Sequence, residues 1–197
     1  MERIGIYSGT FDPVHSGHIA FALQAAQAAK LDLVVFMPER RPRHKPNVEH
    51  FGHRTAMISR AIKPYAKLAL LELPDVYFDV KKTLPKLKRE FKAAELAMLM
   101  GSDVVSSLND WPDIDKLIEN CELIVGLRDG QTKGQIINQL SNTEVPAKFT
   151  IIDSQAPTIS SGKIRRALRK GRVAIGLLPS VRGYAQKEWL YVSSPKD

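Results

Sequence analysis

The sequence predicts an α/β fold, a doubly wound and mainly parallel sheet with helices on both faces. Three observations carry that expectation. Short apolar runs alternate with helical stretches along the whole chain, the pattern of successive βαβ units. Residues 31–37, LDLVVFM, are nearly all apolar, as a parallel strand covered on both faces requires. Residues 3–8 read as a strand that ends in a glycine, a short loop and an alanine-rich helix, so the first strand feeds directly into a helix N-terminus. With 197 residues, 44% hydrophobic and 25% charged, the chain is expected to form one domain, residues 1–197, with a small helical portion from about residue 160.

Taken in order, Ile4, Ile6 and Tyr7 supply the apolar, β-preferring side chains of the first strand. Gly9 ends it, Asp12-Pro13 makes a turn, and Ser16-Gly17-His18 leads into a helix that runs to about Lys30. The strand at 31–37 completes a βαβ unit, whose crossover is expected to be right-handed. Residues 38–47, PERRPRHKPN, hold three prolines with Arg40, Arg41, Arg43, His44 and Lys45. The prolines exclude regular structure, leaving a basic loop at the carboxyl end of a strand, where open α/β sheets bind ligands. Residues 53–62 read as a helix and 67–73, KLALLEL, as a third strand. The following YFDVKKTLPKLKREF carries Lys81, Lys82, Lys86, Lys88, Arg89 and Lys92 on a helix. Pro85 either kinks that helix or sits in its first turn. No aromatic ladder accompanies this charge, which marks a solvated face rather than a nucleic-acid stripe. Residues 95–100, ELAMLM, are the fourth strand, CELIVG within 119–126 the fifth, and 148–152, KFTII, the last. Between the latter two come a turn at 128–130 and a helix at 132–140. A helix capped by Ser160 or Ser161 runs to about Lys170, and a short amphipathic one begins after Pro179 as packing and lid support.

The 29 lysines and arginines exceed the 21 acids, giving a net charge of +8. That excess suits polyanionic ligands, nucleotides and nucleic acid alike. No apolar run approaches the roughly 20 residues needed to cross a bilayer, and no signal peptide is expected. Cys121 is the single cysteine, so no intramolecular disulfide forms. A cytoplasmic location without a membrane partner is the simplest expectation. The oligomeric state stays open, a homo-oligomer included.

Chemistry concentrates at two helix starts. After the first strand, a tight loop meets a helix N-terminus whose free N–H groups and dipole favour an anion. Gly9 and Gly17 let a phosphate approach the backbone, and His15 and His18, three residues apart, lie on one side of the helix start. The string is neither the dinucleotide GxGxxG nor the GxxxxGK[ST] P-loop. At the second start, Ile159, Ser160 and Ser161 precede a helix that carries Arg165 one turn in, poised for a bidentate grip on phosphate. Gly101-Ser102-Asp103 closes the fourth strand, where an acid can receive a ribose hydroxyl.

Residues 9–18, GTFDPVHSGH, resemble the GTFDPxHxGH signature of the nucleotidylyltransferase superfamily. ISSGKIR at 159–165 resembles its second signature, I-S-S/A-T-x-I-R, with Gly162 in place of the usual Thr. PRHK at 42–45 matches a P-x-H-K string, and Trp111 follows Asp103 by eight residues, an interval seen in the nicotinate/nicotinamide mononucleotide adenylyltransferases. Length and spelling resemble that branch over nearly the whole chain.

The resemblance implies a Rossmann-like sheet and adenylyl transfer from ATP to nicotinate mononucleotide, with nicotinamide mononucleotide as the alternative acceptor and the preference between them open, yielding the dinucleotide and pyrophosphate in NAD biosynthesis. It assigns His15, His18, Lys45 and Arg165 to catalysis, and Ser8, Gly9, Thr10, Phe11, Gly17, Gly101, Asp103, Ile159, Ser160 and Ser161 to ATP. His44, Val80, Thr83 and Trp111 are assigned to the pyridine mononucleotide, with Trp111 as the stacking platform. Mg2+ is expected with ATP, held mainly by phosphates and water, with no metal-binding residues of the chain's own. Asp12 either touches that ion indirectly or stabilises its turn. Relatives that prefer the acid carry an S-Y-T-x-x-T-L string; aligned on Thr83-Leu84, Val80 replaces its first Thr and Asp79 adds an acid, so discrimination against the amide is expected to be weaker. The rivals are phosphopantetheine adenylyltransferase, the glycerol- or choline-phosphate cytidylyltransferases, and a non-catalytic basic nucleotide- or RNA-binding module. Arg40 and Arg41 receive no role.

Overall fold

A computed structural model describes residues 1–43, 45–128, 130–141, 146–153 and 159–192. In chain order the elements are β1 (Arg3–Gly9), α1 (Ser16–Ala28), β2 (Leu33–Pro38), α2 (Phe51–Ile62), β3 (Leu68–Leu70), α3 (Val80–Glu90), β4 (Glu95–Gly101), α4 (Ser102–Val105), α5 (Ile114–Asn120), β5 (Cys121–Gly126), α6 (Lys133–Ser141), β6 (Phe149–Ile152), α7 (Ser161–Arg169) and α8 (Pro179–Lys187). A 3₁₀ turn at Leu108–Asp110 lies between α4 and α5.

The strands form one six-stranded sheet in the order β3-β2-β1-β4-β5-β6, and every neighbouring pair is parallel. The chain winds outward from β1 to β3, then crosses back to β4 and winds outward the other way. This reversal between β1 and β4 opens a crevice at the carboxyl ends of the central strands, the place where such sheets receive ligands.

Alternation along the strands separates two apolar layers. Ile4, Ile6, Val35, Met37, Met98 and Leu123 face one side and pack with α3, α5 and α6 through Leu84, Leu87, Leu117 and Ile136. Val34, Phe36, Leu99 and Ile124 face the other and pack with α1, α2, α7 and α8 through Ala22, Met57, Ile164 and Val181. The Rossmann-like, doubly wound expectation holds.

The structure moves several boundaries. β3 is only Leu68–Leu70, because β2 offers it a ladder at Val34 to Phe36 alone. The chain from 71 to 79 leaves the sheet as an irregular strap. α2 starts at Phe51, two residues early, since the His50 ring accepts the Gly52 N–H at 3.3 Å as a cap. Of the two alternatives for Pro85 the first turn is excluded: it lies inside α3 on the exposed face, where the freed Lys81 carbonyl can meet water. The segment between β4 and β5 had no predicted elements. Its α4, 3₁₀ turn and α5 are too short to display a helical period, although Leu108, Leu117 and Ile118 are buried. Among the described residues no helix is long and apolar enough to cross a membrane.

Candidate active site

A cleft of about 680 Å³ lies over the carboxyl ends of the central strands. One rim is residues 9–18 together with the start of α7. Phe11 has φ of 51° and is buried, its ring packed edge-on against Tyr7 at 5.2 Å and His18 at 5.1 Å. That packing holds the left-handed turn that a non-glycine residue otherwise avoids. Thr10 Oγ1 accepts a hydrogen bond from Lys45 Nζ at 3.0 Å, which brings the basic loop onto the phosphate loop.

His15 stands at the cap position of α1 and His18 one turn in, their rings stacked at 3.6 Å. His18 Nδ1 accepts the His15 backbone N–H at 3.2 Å, so the proton of the neutral ring sits on Nε2, which remains a donor. Burial first, then the charge of Arg128, pushes His15 down to about 4. His18 is lowered as well, by burial and then by His15, Arg128 and Lys45. Both rings are therefore neutral in the free protein near neutral pH. Ser8 Oγ and His15 Nδ1 are buried without a partner among the described residues, polar atoms in the cleft wall that a polar ligand would satisfy.

α7 completes this rim. Ser160 accepts the Lys163 N–H at 3.3 Å and caps the helix, while Ser161 Oγ donates to the Pro13 carbonyl at 2.9 Å. Arg165 donates to the Asp12 carbonyl and lies 3.6 Å from its carboxylate. Two motifs distant in sequence thus meet at one edge. Asp12 is buried and further accepts the Tyr191 hydroxyl at 2.5 Å and the Glu49 N–H at 3.4 Å. Its carboxylate is committed to these partners, and no group of three acids, histidines or cysteines that could hold a metal exists among the described residues. Ile159 lies against Gly176, whose φ of 83° and missing side chain make room for it, since a Cβ there would come within 2.6 Å.

On the floor, Asp103 pairs with Arg128 at 2.9 Å, both half exposed. Gly101 lies directly beneath: a Cβ would collide with the Asp103 carboxylate and come within 2.8 Å of Arg128 Nε. Gly17 also lines the cleft.

The opposite rim is assembled from the basic loop and the strap. Arg40 Nε donates to the Leu73 carbonyl at 3.0 Å, Arg41 N–H to Val76 at 2.8 Å, and Arg43 to Phe78 at 2.7 Å. Arg40 and Arg41 therefore brace backbone. Glu39 Oε1 accepts the Phe78 N–H at 3.0 Å. Phe78 faces Trp111 with ring centroids 6.2 Å apart and planes at 45°, and both line the cleft. Behind the loops lies Arg54, fully buried, donating to the carbonyls of Glu49 (2.9 Å), Thr10 (2.7 Å) and Arg40 (3.0 Å). It ties the phosphate loop to the basic loop.

Of the expected site residues among the described ones, all but two line this cleft. Val80 and Thr83 do not: both are buried in the first turns of α3, and Thr83 Oγ1 accepts the Asp79 N–H at 3.1 Å. Asp79 is the α3 cap, its carboxylate accepting the Lys82 N–H at 3.0 Å. The S-Y-T-x-x-T-L alignment thus points at a helix cap outside the cleft rather than at its wall. His44 lies outside the described residues. Sequence reasoning missed Glu39, Arg54, Phe78, Arg128 and Tyr191. A charged residue inside an apolar helix face was the available signal for Arg54; Glu39 and Phe78 lie in quoted strings without a residue type that marks them, and Arg128 and Tyr191 belong to no contiguous pattern.

Two helix starts, the histidine pair and Arg165 meet at one cleft of a Rossmann-like sheet, an arrangement suited to the phosphates of a nucleotide. Comparison with known proteins agrees. Residues 6–167 match the model of the cytidylyltransferase-like family. The chain is 31% identical to the nicotinate-nucleotide adenylyltransferase of Bacillus subtilis, over 98% of this chain and all of that one. It is 32% identical to a probable nicotinate-nucleotide adenylyltransferase of Neisseria gonorrhoeae, over 97% and 99%. The fold is similar to that of the Plasmodium falciparum nicotinic acid mononucleotide adenylyltransferase solved with NaAD, with a TM-score of 0.78, 21% identity and coverage of 97% and 98%. The chain belongs to the cytidylyltransferase-like family, on its nicotinate-nucleotide adenylyltransferase branch.

Proposed function

We propose that the protein transfers the adenylyl group of ATP to a pyridine mononucleotide, nicotinate mononucleotide foremost, in NAD biosynthesis. An oxygen of the acceptor's 5′-phosphate attacks the α-phosphorus of ATP. The bond from that phosphorus to the bridging oxygen of the β-phosphate breaks, and pyrophosphate leaves. Both reactants are anions, so the protein's tasks are alignment and charge screening, with no covalent nucleophile. The observation that supports this most is the stacked His15–His18 pair, with a protonated Nε2 available on His18, facing the capped start of α7 across the same rim.

In this reading Ser8, Gly9, Thr10, Phe11 and Gly17 receive the ATP phosphates. His15 and His18 donate to them, His18 to the oxygens on which charge develops. Ile159, Ser160, Ser161 and Arg165 hold the β- and γ-phosphates. Gly101 and Asp103 take the ribose, Asp103 exchanging its bond to Arg128 for a hydroxyl. Lys45 neutralises the acceptor phosphate, with His44 beside it in sequence, and Trp111 with Phe78 stacks the pyridine ring. Val80 and Thr83 act through the backbone of α3. Magnesium enters with ATP as part of that substrate, screening its phosphates.

The test is pyrophosphate release with ATP, magnesium and a panel of acceptors. Release with nicotinate mononucleotide is expected. Release with phosphopantetheine alone would overturn the assignment, as would RNA binding with no turnover on any acceptor.

A further inference from the structure

Three acids line the cleft: Asp12, Asp103 and Glu39. Asp12 is held by Arg165 and Tyr191, and Asp103 by Arg128. Glu39 forms no ion pair among the described residues; its one side-chain hydrogen bond there is from the Phe78 N–H. It is also fixed in place, because its own N–H donates to the Gly9 carbonyl at 3.0 Å just beyond β2. Phe78 is consequently locked at both backbone groups, its carbonyl taken by Arg43 at 2.7 Å and its N–H by Glu39. The N–H that a ligand carboxylate next to the Phe78–Trp111 pair would seek is already bonded to a carboxylate.

From this placement we infer that Glu39 sets acceptor specificity, by presenting an acid to the ring substituent of a pyridine stacked at Phe78 and Trp111. The inference rests on the proposed function, which seats the pyridine there. An acceptor bearing a carboxylate meets a like charge and finds the local N–H occupied; one bearing a carboxamide brings an NH₂ that the second Glu39 oxygen can accept. The positive charge of the buried Arg54, which Glu39 feels electrostatically, is directed at three carbonyls instead of the cleft. Glu39 therefore lowers the preference for nicotinate over nicotinamide mononucleotide, in place of the role that alignment gave to Asp79.

Glu39→Gln isolates this effect, since Gln Oε1 still accepts the Phe78 N–H while the charge is gone. Using the full-length chain with saturating ATP and magnesium, kcat/KM is measured for both mononucleotides. The variant is expected to raise kcat/KM for nicotinate mononucleotide about tenfold, leaving the ATP KM unchanged and the nicotinamide value equal or lower. If both nucleotides are used and their ratio does not move, or both fall together, Glu39 only braces the strap and the inference is wrong. If the wild type uses neither nucleotide, the functional reading itself fails and carries this inference with it.

Discussion

Along one rim of the cleft, His15, His18, Ser160 and Arg165 belong to two contiguous strings, joined where Ser161 meets Pro13 and Arg165 meets Asp12. Along the other, Phe78 faces Trp111 from a strap that Arg40, Arg41, Arg43 and Glu39 grip at 73–78 from over thirty residues away. The first rim is a pair of helix starts whose N–H groups would serve any phosphate. The second depends on side-chain contacts between two separate loops. Under the proposed function, transfer belongs to the first and choice of acceptor to the second, with Arg54 as the bolt between them.

Arg54→Ala is the substitution that should breach this division. It removes a buried guanidinium and strands three carbonyls, so a stability loss of about 3 kcal/mol or more is expected by urea unfolding. The surviving fold should show raised KM for both substrates; a change in one alone would mean that the rims are fixed independently.

His18→Ala should fall on the transfer rim only. A loss of about 10²-fold or more in kcat, the scale of one transition-state donor, should accompany an almost unchanged acceptor KM. Near-normal turnover in a folded variant would remove His18 from the chemistry.

The transfer rim should also carry a pH signature in stability. His15 is lowered to about 4 in the folded protein against 6.5 for the free side chain. Between those values the unfolded chain binds a proton that the folded one excludes, so stability is full above about 6.5 and declines as pH falls towards 4. From about pH 7.5 to about pH 5 the wild type should lose roughly 2 kcal/mol more than His15→Asn, read by urea unfolding at each pH. Parallel losses would place the ring in contact with water.

Trp111→Ala should give the smallest change, about tenfold in acceptor KM with the ATP KM intact, the size of one aromatic stack. An equal effect on ATP would show that the two rims share a ring.

Legibility in the sequence follows the same line. β1, β2, β4 and β5 announce themselves as apolar runs because both their faces are buried, and the two phosphate motifs because their residues are consecutive. The strap does not, since 71–79 has neither period, and its form depends on arginines in another loop. Arg40 and Arg41 look like surface charge until their carbonyl partners are seen. Arg128 reads as part of a turn, and only the fold sets it against Asp103. Val80 and Thr83 stand in a recognisable string, but only the fold shows their side chains buried in the first turns of α3, which leaves the backbone as their route to a ligand.

The central claim is that this cleft moves an adenylyl group from ATP to the mononucleotide phosphate, and the fate of isotope tests it most directly. ATP labelled at the α-phosphorus, incubated with magnesium and nicotinate mononucleotide, should pass its label into the dinucleotide, while ATP labelled at the γ-phosphorus should pass it into pyrophosphate. Gamma label on the acceptor, or α label retained in ADP, would contradict the account.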